Sequence, residues 1–240
     1  MILLSFDLET TGTDRAMDRP IEVGAILYTT GQRKCLESSG YLVKSDVPIR
    51  PEITELTGIT QSALDKFGYE SHSALEALLD LAVQADAFIG QNVKRFDKPF
   101  LENWCTREKL VMPNKLWIDT RTDLPGVVGK HLGYMAADAG FLNMFPHSAL
   151  ADCQTVIKLV QGHDIDKVVE RAKSPEVVLL AQVSYDNRNQ AKERKYAWNG
   201  DYKIWWKMVK QMELDAEVAA APFDCAIAGP EISLEKLWYD

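Results

Sequence analysis

Two carboxylates near the start of the chain, Asp7 and Glu9, have the types and spacing needed to bind a divalent metal ion. They follow an apolar run that begins at Ile2, and this run predicts a buried strand over residues 2–8. Side chains two positions apart on a strand lie on the same face, so the two acids would stand side by side. Two ionised carboxylates there repel each other unless a cation compensates their charge. The alternative is a strand end at which both acids are simply hydrated, and this pair alone does not separate the two interpretations.

Two later segments carry further acids and a histidine. Asp97 ends a segment that starts at Asn92, between a short apolar strand and a predicted helix, where a helix cap is the alternative role. Another helix is predicted from Ser148, and Asp152 would border its apolar stripe, with His147 directly before the helix. Taken singly, Asp152 could be a surface carboxylate and His147 a loop residue.

These residues follow one another in the order Asp-x-Glu, Asn…Phe-Asp and His-x4-Asp. In this order the chain resembles the DEDDh group of the DnaQ-like (RNase T/DnaQ) 3′→5′ exonuclease superfamily. Residues 20–25 and 56–60 are also similar to that family's second strand and to its segment near the substrate, and the resemblance covers residues 1–162. In one departure, three residues separate Asn92 from Phe96, whereas the commonest family pattern is His-Asn-x-x-Phe-Asp. The longer spacing resembles the proofreading domains of some DNA polymerases.

The resemblance implies a metal-dependent exonuclease that hydrolyses phosphodiester bonds with two Mg²⁺ (or Mn²⁺) ions per site. Carboxylates suit this role because hard oxygen ligands favour these ions over zinc. By resemblance, Asp7 would bridge both ions, Glu9 and Asp152 would hold the first, and Asp97 would support the second. His147 would be the general base that takes the proton of the attacking water, a task that suits imidazole near neutral pH.

The same resemblance suggests which residues hold the terminal nucleotide. Thr10 (through its backbone), Ile59, Asn92 and Phe96 would do so by hydrogen bonding, wedging or packing, although Phe96 could instead belong to the core. Single-stranded DNA is the leading substrate, because a free unpaired 3′ end must reach recessed metal ions. The alternatives are an exonuclease that trims RNA or oligoribonucleotides, and a non-catalytic replisome-binding protein of the same fold. DNA replication or repair proteins are possible partners.

The order of predicted elements indicates an α/β fold. Strands are predicted first, and helices and strands then alternate, which indicates a mixed sheet with helices on its faces; by resemblance this would be a ribonuclease H-like sheet. The predicted strands cover residues 2–8, 21–28, 35–43, 87–90 and 116–118. The predicted helices include Leu75 to Val83, a helix with Pro99 in its first turn, and one from Ser148 to Val160.

A boundary near Gly162 divides the chain into an exonuclease domain, residues 1–162, and a small α+β accessory module, residues 163–240. The module would contain a helix at 166–173, a strand at 177–183, a basic helix at 187–195 and a Trp-rich strand at 203–209. Between residues 182 and 210, seven basic and three acidic residues alternate with six aromatic residues. This pattern is typical of a surface that binds single strands, but packing of the rings in the core, or a protein interaction, explains it equally well.

The composition predicts a cytoplasmic protein. Its 240 residues are 46% hydrophobic, with no apolar run long enough to span a membrane and no secretory signal. The four cysteines are far apart and form no CxxC pair, which favours free thiols in a reducing cytoplasm. The net charge of -8 argues against coating of nucleic acid by bulk electrostatics.

Overall fold

The computed structural model describes residues 1–127, 131–232 and 237. The chain divides into two compact units, Met1–Ala172 and Lys173–Asp240. The predicted boundary after residue 162 lies earlier than this division. The helix that follows residue 162 belongs to the first unit because Val168 is fully buried in that unit's core and Ile165 and Ala172 pack against it.

A mixed sheet of five strands forms the centre of the first unit, as the sequence predicts. In chain order its strands are β1 (Ile2–Thr10), β2 (Pro20–Thr29), β3 (Lys34–Leu42), β4 (Ala87–Gly90) and β5 (Leu116–Asp119). Their spatial order is β3-β2-β1-β4-β5. The central strand β1 is antiparallel to β2 and parallel to β4, which in turn is parallel to β5.

Helices cover both faces of this sheet. They are α1 (Pro51–Thr57), α2 (Gln61–Phe67), α3 (Ser71–Gln84), α4 (Asp97–Glu108), α5 (Thr120–Asp123), α6 (Leu132–Asp138), α7 (Ala149–Val160) and α8 (Ile165–Lys173). Leu4, Phe6 and Leu8 of β1 pack with α3 and α4 on one face, and Leu3 packs with α6, α7 and α8 on the other. This arrangement is the ribonuclease H-like fold expected from the sequence.

Four of these helices, α1, α2, α5 and α6, have between four and seven residues and were not predicted from the sequence. Seven residues make about two turns of helix, too few for a periodic apolar pattern to be recognised. Local signals do mark two of them. Pro51 occupies the first turn of α1, and the Thr60 hydroxyl accepts a hydrogen bond from the Ala63 N–H at the start of α2.

The second unit is built on an antiparallel sheet of four strands. It contains β6 (Glu176–Gln182), α9 (Arg188–Glu193), β7 (Ala197–Asn199), β8 (Ile204–Lys210), a 3₁₀ turn (Gln211–Glu213), α10 (Leu214–Ala220) and β9 (Asp224–Ile227). The strand order is β7-β8-β6-β9. The strand–helix–strand core matches the prediction, whereas β7, α10 and β9 add to it. Across the described ranges, no helix is both long and apolar enough to cross a membrane.

Candidate active site

The two carboxylates that open the sequence lie at the end of the central strand. Asp7 and Glu9 are on the same face of β1 as Leu3, and this face is covered by α7. Glu9 lies opposite Glu22 of the antiparallel strand β2. The alternation of the strand therefore places three acids in one small region, as the spacing of Asp7 and Glu9 suggested for two of them.

Helix α7 brings Asp152 to this pair. Its first N–H, that of Ala149, donates to Glu22 Oε2 over 3.1 Å, and the Ser5 hydroxyl donates to the Cys153 carbonyl over 3.2 Å. As a result, one carboxylate oxygen from each of Asp7, Glu9 and Asp152 lies within 4.8 Å of the others. The three acids converge because the helix is bound to the sheet on both sides of them.

Asp97 approaches from the opposite direction, at the first residue of α4. Its side chain is 2% exposed, and its Oδ1 accepts a hydrogen bond from the Leu8 N–H over 2.9 Å. Asp97 lies outside the three-carboxylate cluster but lines the same cavity, which has a volume of about 250 Å³. The alternative role of Asp97 as a helix cap is wrong, because Phe96 occupies the cap position of α4 and no side chain caps this helix.

The electrostatics of the cluster call for a compensating cation. Burial raises the pKa of Asp7 well above its usual range, and the neighbouring charges of Asp97, Asp152, Glu9 and Glu22 raise it further. Burial, with Asp152 and Glu22, raises the pKa of Glu9 to about 8. Among the described residues, no lysine or arginine forms an ion pair with Asp7, Glu9 or Asp152. A set of hard oxygen donors that is costly to ionise fits a divalent metal ion.

His147 lies at the mouth of the cavity, one residue before the turn into α7. Its side chain is exposed, and its backbone has a φ of 61°, in the left-handed region. Its N–H donates to Asp152 Oδ2 over 3.3 Å, and the side-chain amide of Asn143 donates to Asp152 Oδ1. Burial raises the pKa of Asp152, and these hydrogen bonds offset part of the rise. Asn143 was not predicted, because an amide in an irregular loop carries no pattern in the sequence.

Three of the four residues expected to hold the nucleotide, Thr10, Asn92 and Phe96, line the cavity. Ile59 does not. It is buried with Ile21 and Leu64, and the cavity wall is instead formed by Ile53 and Leu56 of α1. Because α1 was not predicted as a helix, the sequence did not show which apolar side chains of this segment face outward.

A buried network at the end of β5 fixes Asn92. Its φ is 57°, and its N–H donates to Asp119 Oδ1 over 2.9 Å. Burial raises the pKa of Asp119 to about 6 despite hydrogen bonds from the Arg121 and Lys94 N–H groups. Lys94 also forms an ion pair of 2.7 Å with Asp123, whose side chain is fully buried. Neither acid was identified from the sequence, since Asn92 and Lys94, the partners that link them to the site, lie more than twenty residues away along the chain.

The comparisons with known proteins agree with this fold. Residues 4–160 match the exonuclease family RNase_T, and the chain belongs to this family, within the DnaQ-like superfamily. Similar curated proteins include the PolC-type DNA polymerases III of Mycoplasmopsis pulmonis, 30% identical over 115 residues, and Thermotoga maritima, 32% identical over 116 residues. Each match covers 48% of this chain but only 8% of the polymerase.

Two solved structures show the same fold at low identity. One is E. coli exonuclease I in complex with a dA16 oligonucleotide, with a TM-score of 0.61 and 17% identity; the match covers 98% of this chain and 67% of that one. The other is a 3′-exonuclease described in 3′-end specific recognition of a histone mRNA stem-loop. It has a TM-score of 0.56 and 19% identity, over 67% of this chain and 80% of that one.

Proposed function

We propose that this protein is a metal-dependent 3′→5′ exonuclease that hydrolyses phosphodiester bonds at the 3′ end of a nucleic-acid strand. The observation that carries the proposal is the convergence of Asp7, Glu9 and Asp152 in a cavity that Asp97 and His147 also line. Membership of the exonuclease family supports the same class of reaction.

The four acidic residues of the site would hold two Mg²⁺ or Mn²⁺ ions. Asp7 would lie between the ions, Glu9 and Asp152 would bind one of them, and Asp97 would support the other. Bound ions of this kind stabilise the charge that develops on the attacking and leaving oxygens. The raised pKa values of Asp7 and Glu9 support this assignment, because a cation compensates both the hydration lost on burial and the repulsion between the neighbouring carboxylates.

His147 would act as the general base. Water attacks the terminal phosphorus, its proton passes to the imidazole, and the bond from phosphorus to the O3′ of the preceding nucleotide breaks. The products are a nucleoside 5′-monophosphate and a strand shortened by one nucleotide. The hydrogen bond from the His147 N–H to Asp152 supports this role, since it holds the base and a metal ligand on the same turn.

Single-stranded DNA is the substrate we propose, with the unpaired 3′ nucleotide in the cavity between Asn92, Phe96 and Leu56. The cavity is small and recessed, which suits a free end better than a duplex. The exonuclease I structure in complex with an oligonucleotide supports DNA, and the 3′-exonuclease of the histone mRNA stem-loop gives RNA as the second candidate. The PolC-type relatives suggest DNA replication proteins as partners.

The test is digestion of DNA and RNA oligomers labelled at either end, with Mg²⁺, Mn²⁺ or EDTA. We expect 5′-labelled single-stranded DNA to shorten stepwise, and 3′-labelled DNA to release its label in the first step, only when a metal ion is present. Asp7→Asn should abolish both, whereas Asp80→Asn, a matched change at an exposed position of α3, should not. An active Asp7→Asn variant, or a wild-type protein that binds strands without cutting them, would refute the proposal; the second result would indicate a non-catalytic binding protein.

A further inference from the structure

A second cavity, of about 660 Å³, lies within the C-terminal unit, and its walls are basic and aromatic. It opens at the end of the sheet where β6 runs into α9 and where β7 meets β8. Six side chains give it its chemical character: Tyr185, Arg188, Lys192, Trp198, Lys203 and Trp205. Within the described part of the chain, no carboxylate lines it.

Two of the three aromatic side chains that line this cavity, Tyr185 and Trp198, face solvent, whereas Trp205 also packs against the core of the unit. Trp206 and Tyr196 are the buried rings, with 7% and 3% exposure, and they pack between the sheet and its covering elements. Trp198 is 50% exposed and Tyr185 is 77% exposed. The structure thus separates rings that stabilise the fold from rings that face solvent, a division that the alternation of the sequence did not show.

Two tryptophans form a continuous aromatic surface in the cavity. Trp198 and Trp205 are directly opposite each other on the antiparallel strands β7 and β8. Their ring centroids are 5.5 Å apart, with an angle of 56° between the planes. Lys192 Nζ lies 6.0 Å from the centre of the Trp205 ring. A flat base that entered here would meet a ring face beside a positive charge.

The basic residues of the unit divide in the same way. Arg194 and Lys207 both form ion pairs with Glu217, at 2.8 and 2.9 Å, and Lys210 pairs with Glu176 at 3.2 Å. These three stabilise the unit. Arg188, by contrast, stacks over the Tyr185 ring at 3.9 Å and lines the cavity, as do Lys192 and Lys203. The positive charge of this wall is therefore not neutralised by a lining acid.

We propose that this cavity binds single-stranded nucleic acid. Bases would stack on Trp198 and Tyr185, and phosphates would lie near the three cations Arg188, Lys192 and Lys203. Charge complementarity favours this occupant over an apolar or basic peptide, since a polyanion with flat apolar bases matches both parts of the wall. The binding should tolerate any base sequence, because every base offers a stacking face.

The experiment measures binding by the full-length protein in EDTA, so that it does not depend on hydrolysis. The probe is fluorescein-labelled oligothymidylate, followed by anisotropy. We expect Trp198→Ala to weaken binding about tenfold, in line with the usual worth of one base–aromatic stack, and Trp198→Phe to restore most of it. Lys192→Ala should weaken binding and lower the slope of log affinity against log salt concentration by about 0.7, the value for one phosphate contact on a single strand.

The matched control for Lys192→Ala is Lys195→Ala, which changes an exposed lysine outside the cavity wall. It should leave both affinity and salt slope close to those of the wild type. Duplex competitor should displace the probe poorly. The proposal is overturned if Trp198→Ala and Lys192→Ala both bind like the wild type, or if Lys195→Ala loses as much affinity as Lys192→Ala.

The hydrolytic site is tested separately in the same proteins. Trp198→Ala should retain metal-dependent cleavage of a dinucleotide, a substrate with no further nucleotide to stack on Trp198. If no variant or wild-type protein cleaves, yet Trp198 still determines affinity for oligothymidylate, the exonuclease proposal fails and the cavity proposal stands. If cleavage is normal and Trp198→Ala binds oligothymidylate like the wild type, the exonuclease proposal stands and the cavity proposal fails. If Trp198→Ala has the same melting temperature as the wild type, its weaker binding is not caused by unfolding.

Discussion

Glu22 accepts a hydrogen bond from the N–H of Ala149 over 3.1 Å, although the two residues are 127 positions apart in sequence. This contact joins strand β2 to the first turn of α7, the turn that carries Asp152. Burial raises the pKa of Glu22 and the Ala149 N–H counteracts that rise, so the contact also supports the charge of this carboxylate. The helix and the sheet therefore position the clustered acids jointly.

Gly24 lies two residues further along β2 and allows the same close approach. A Cβ atom at this position would lie 2.2 Å from the carbonyl carbon of Ala149, a contact with backbone that no rotamer change relieves. We expect Gly24→Ala to destabilise the protein by about 1–3 kcal/mol, the usual range for overpacking, and to move Asp152 away from Asp7. Thermal denaturation and the nuclease assay would show both effects.

The control for this variant is Gly31→Ala. A Cβ atom on Gly31 meets no atom within 4 Å, and its φ is not in the left-handed region. Its melting temperature and its nuclease rate should remain near those of the wild type. A Gly24→Ala protein as stable and active as Gly31→Ala would show that the approach of α7 to β2 is not needed for the site.

The raised pKa of Glu9 predicts how the free energy of unfolding of the metal-free protein depends on pH. The pKa of Glu9 rises from an ordinary value of 4.5 to about 8 on folding, so the folded state binds more protons than the unfolded state between these values. The free energy of unfolding in EDTA should therefore fall as pH rises through this window. Glu9→Gln should show a smaller decrease, because it cannot ionise at this position.

Denaturant unfolding at several pH values, in EDTA and in Mn²⁺, measures this dependence. Added Mn²⁺ should restore stability at the alkaline end for the wild type and much less for Glu9→Gln, since a ligand that binds only the folded state stabilises it. Glu37→Gln, on the outer strand β3 and exposed, should behave like the wild type in both conditions. If Glu9→Gln and the wild type have the same pH dependence, the repulsion inferred for the cluster is absent.

The acids and the histidine of the site could be predicted because each combines a reactive side chain with a local context. Asp7 and Glu9 end an apolar strand, Asp97 begins a helix, and Asp152 borders an apolar helical stripe directly after His147. Strand and helix periodicity are short-range properties, so they can be read from neighbouring residues. The structure brings all five to one cavity.

Glu22, Asn143 and Asp119 could not be found in this way, because their roles arise only from tertiary contacts. Glu22 contacts Ala149, which lies 127 positions away along the chain, and Asp119 holds the backbone of Asn92 from the end of another strand. The prediction that Ile59 holds the nucleotide was wrong for the same reason. Its neighbours Ile53 and Leu56 face the cavity while Ile59 itself is buried, and only the path of a two-turn helix determines which side chain faces where.

His147 should determine the rate of the chemical step. We expect His147→Ala to lower kcat by roughly 10²–10⁴-fold with a smaller effect on KM, because a general base acts in the transition state. His72→Ala, which alters an exposed histidine of α3, is the matched control. A His147→Ala protein with an unchanged kcat would exclude His147 as the base.

Glu217 should stabilise the C-terminal unit through its two ion pairs. Burial alone would raise its pKa, but hydrogen bonds from Arg194 and Lys207 lower it below the ordinary value of 4.5. Glu217→Gln should therefore cost about 2 kcal/mol at neutral pH, the usual size for hydrogen bonds to a charged group. These hydrogen bonds stabilise only the ionised form of Glu217. The difference in free energy of unfolding between Glu217→Gln and the wild type should therefore shrink as pH falls below about 4.5.

Tryptophan emission during urea unfolding follows both units, because Trp198, Trp205 and Trp206 lie in this one and Trp104 and Trp117 in the first. The part of the transition that Glu217→Gln shifts therefore reports on the C-terminal unit. The matched control is Asp215→Asn on the same helix α10, an exposed acid that should change stability by less than about 0.5 kcal/mol. Oligothymidylate affinity in EDTA separates the two sets of basic residues. Under conditions where the unit is fully folded, Glu217→Gln should bind like the wild type, because Arg194 and Lys207 are structural and Arg188 and Lys192 contact the strand. Weaker binding by a folded Glu217→Gln protein would contradict that division.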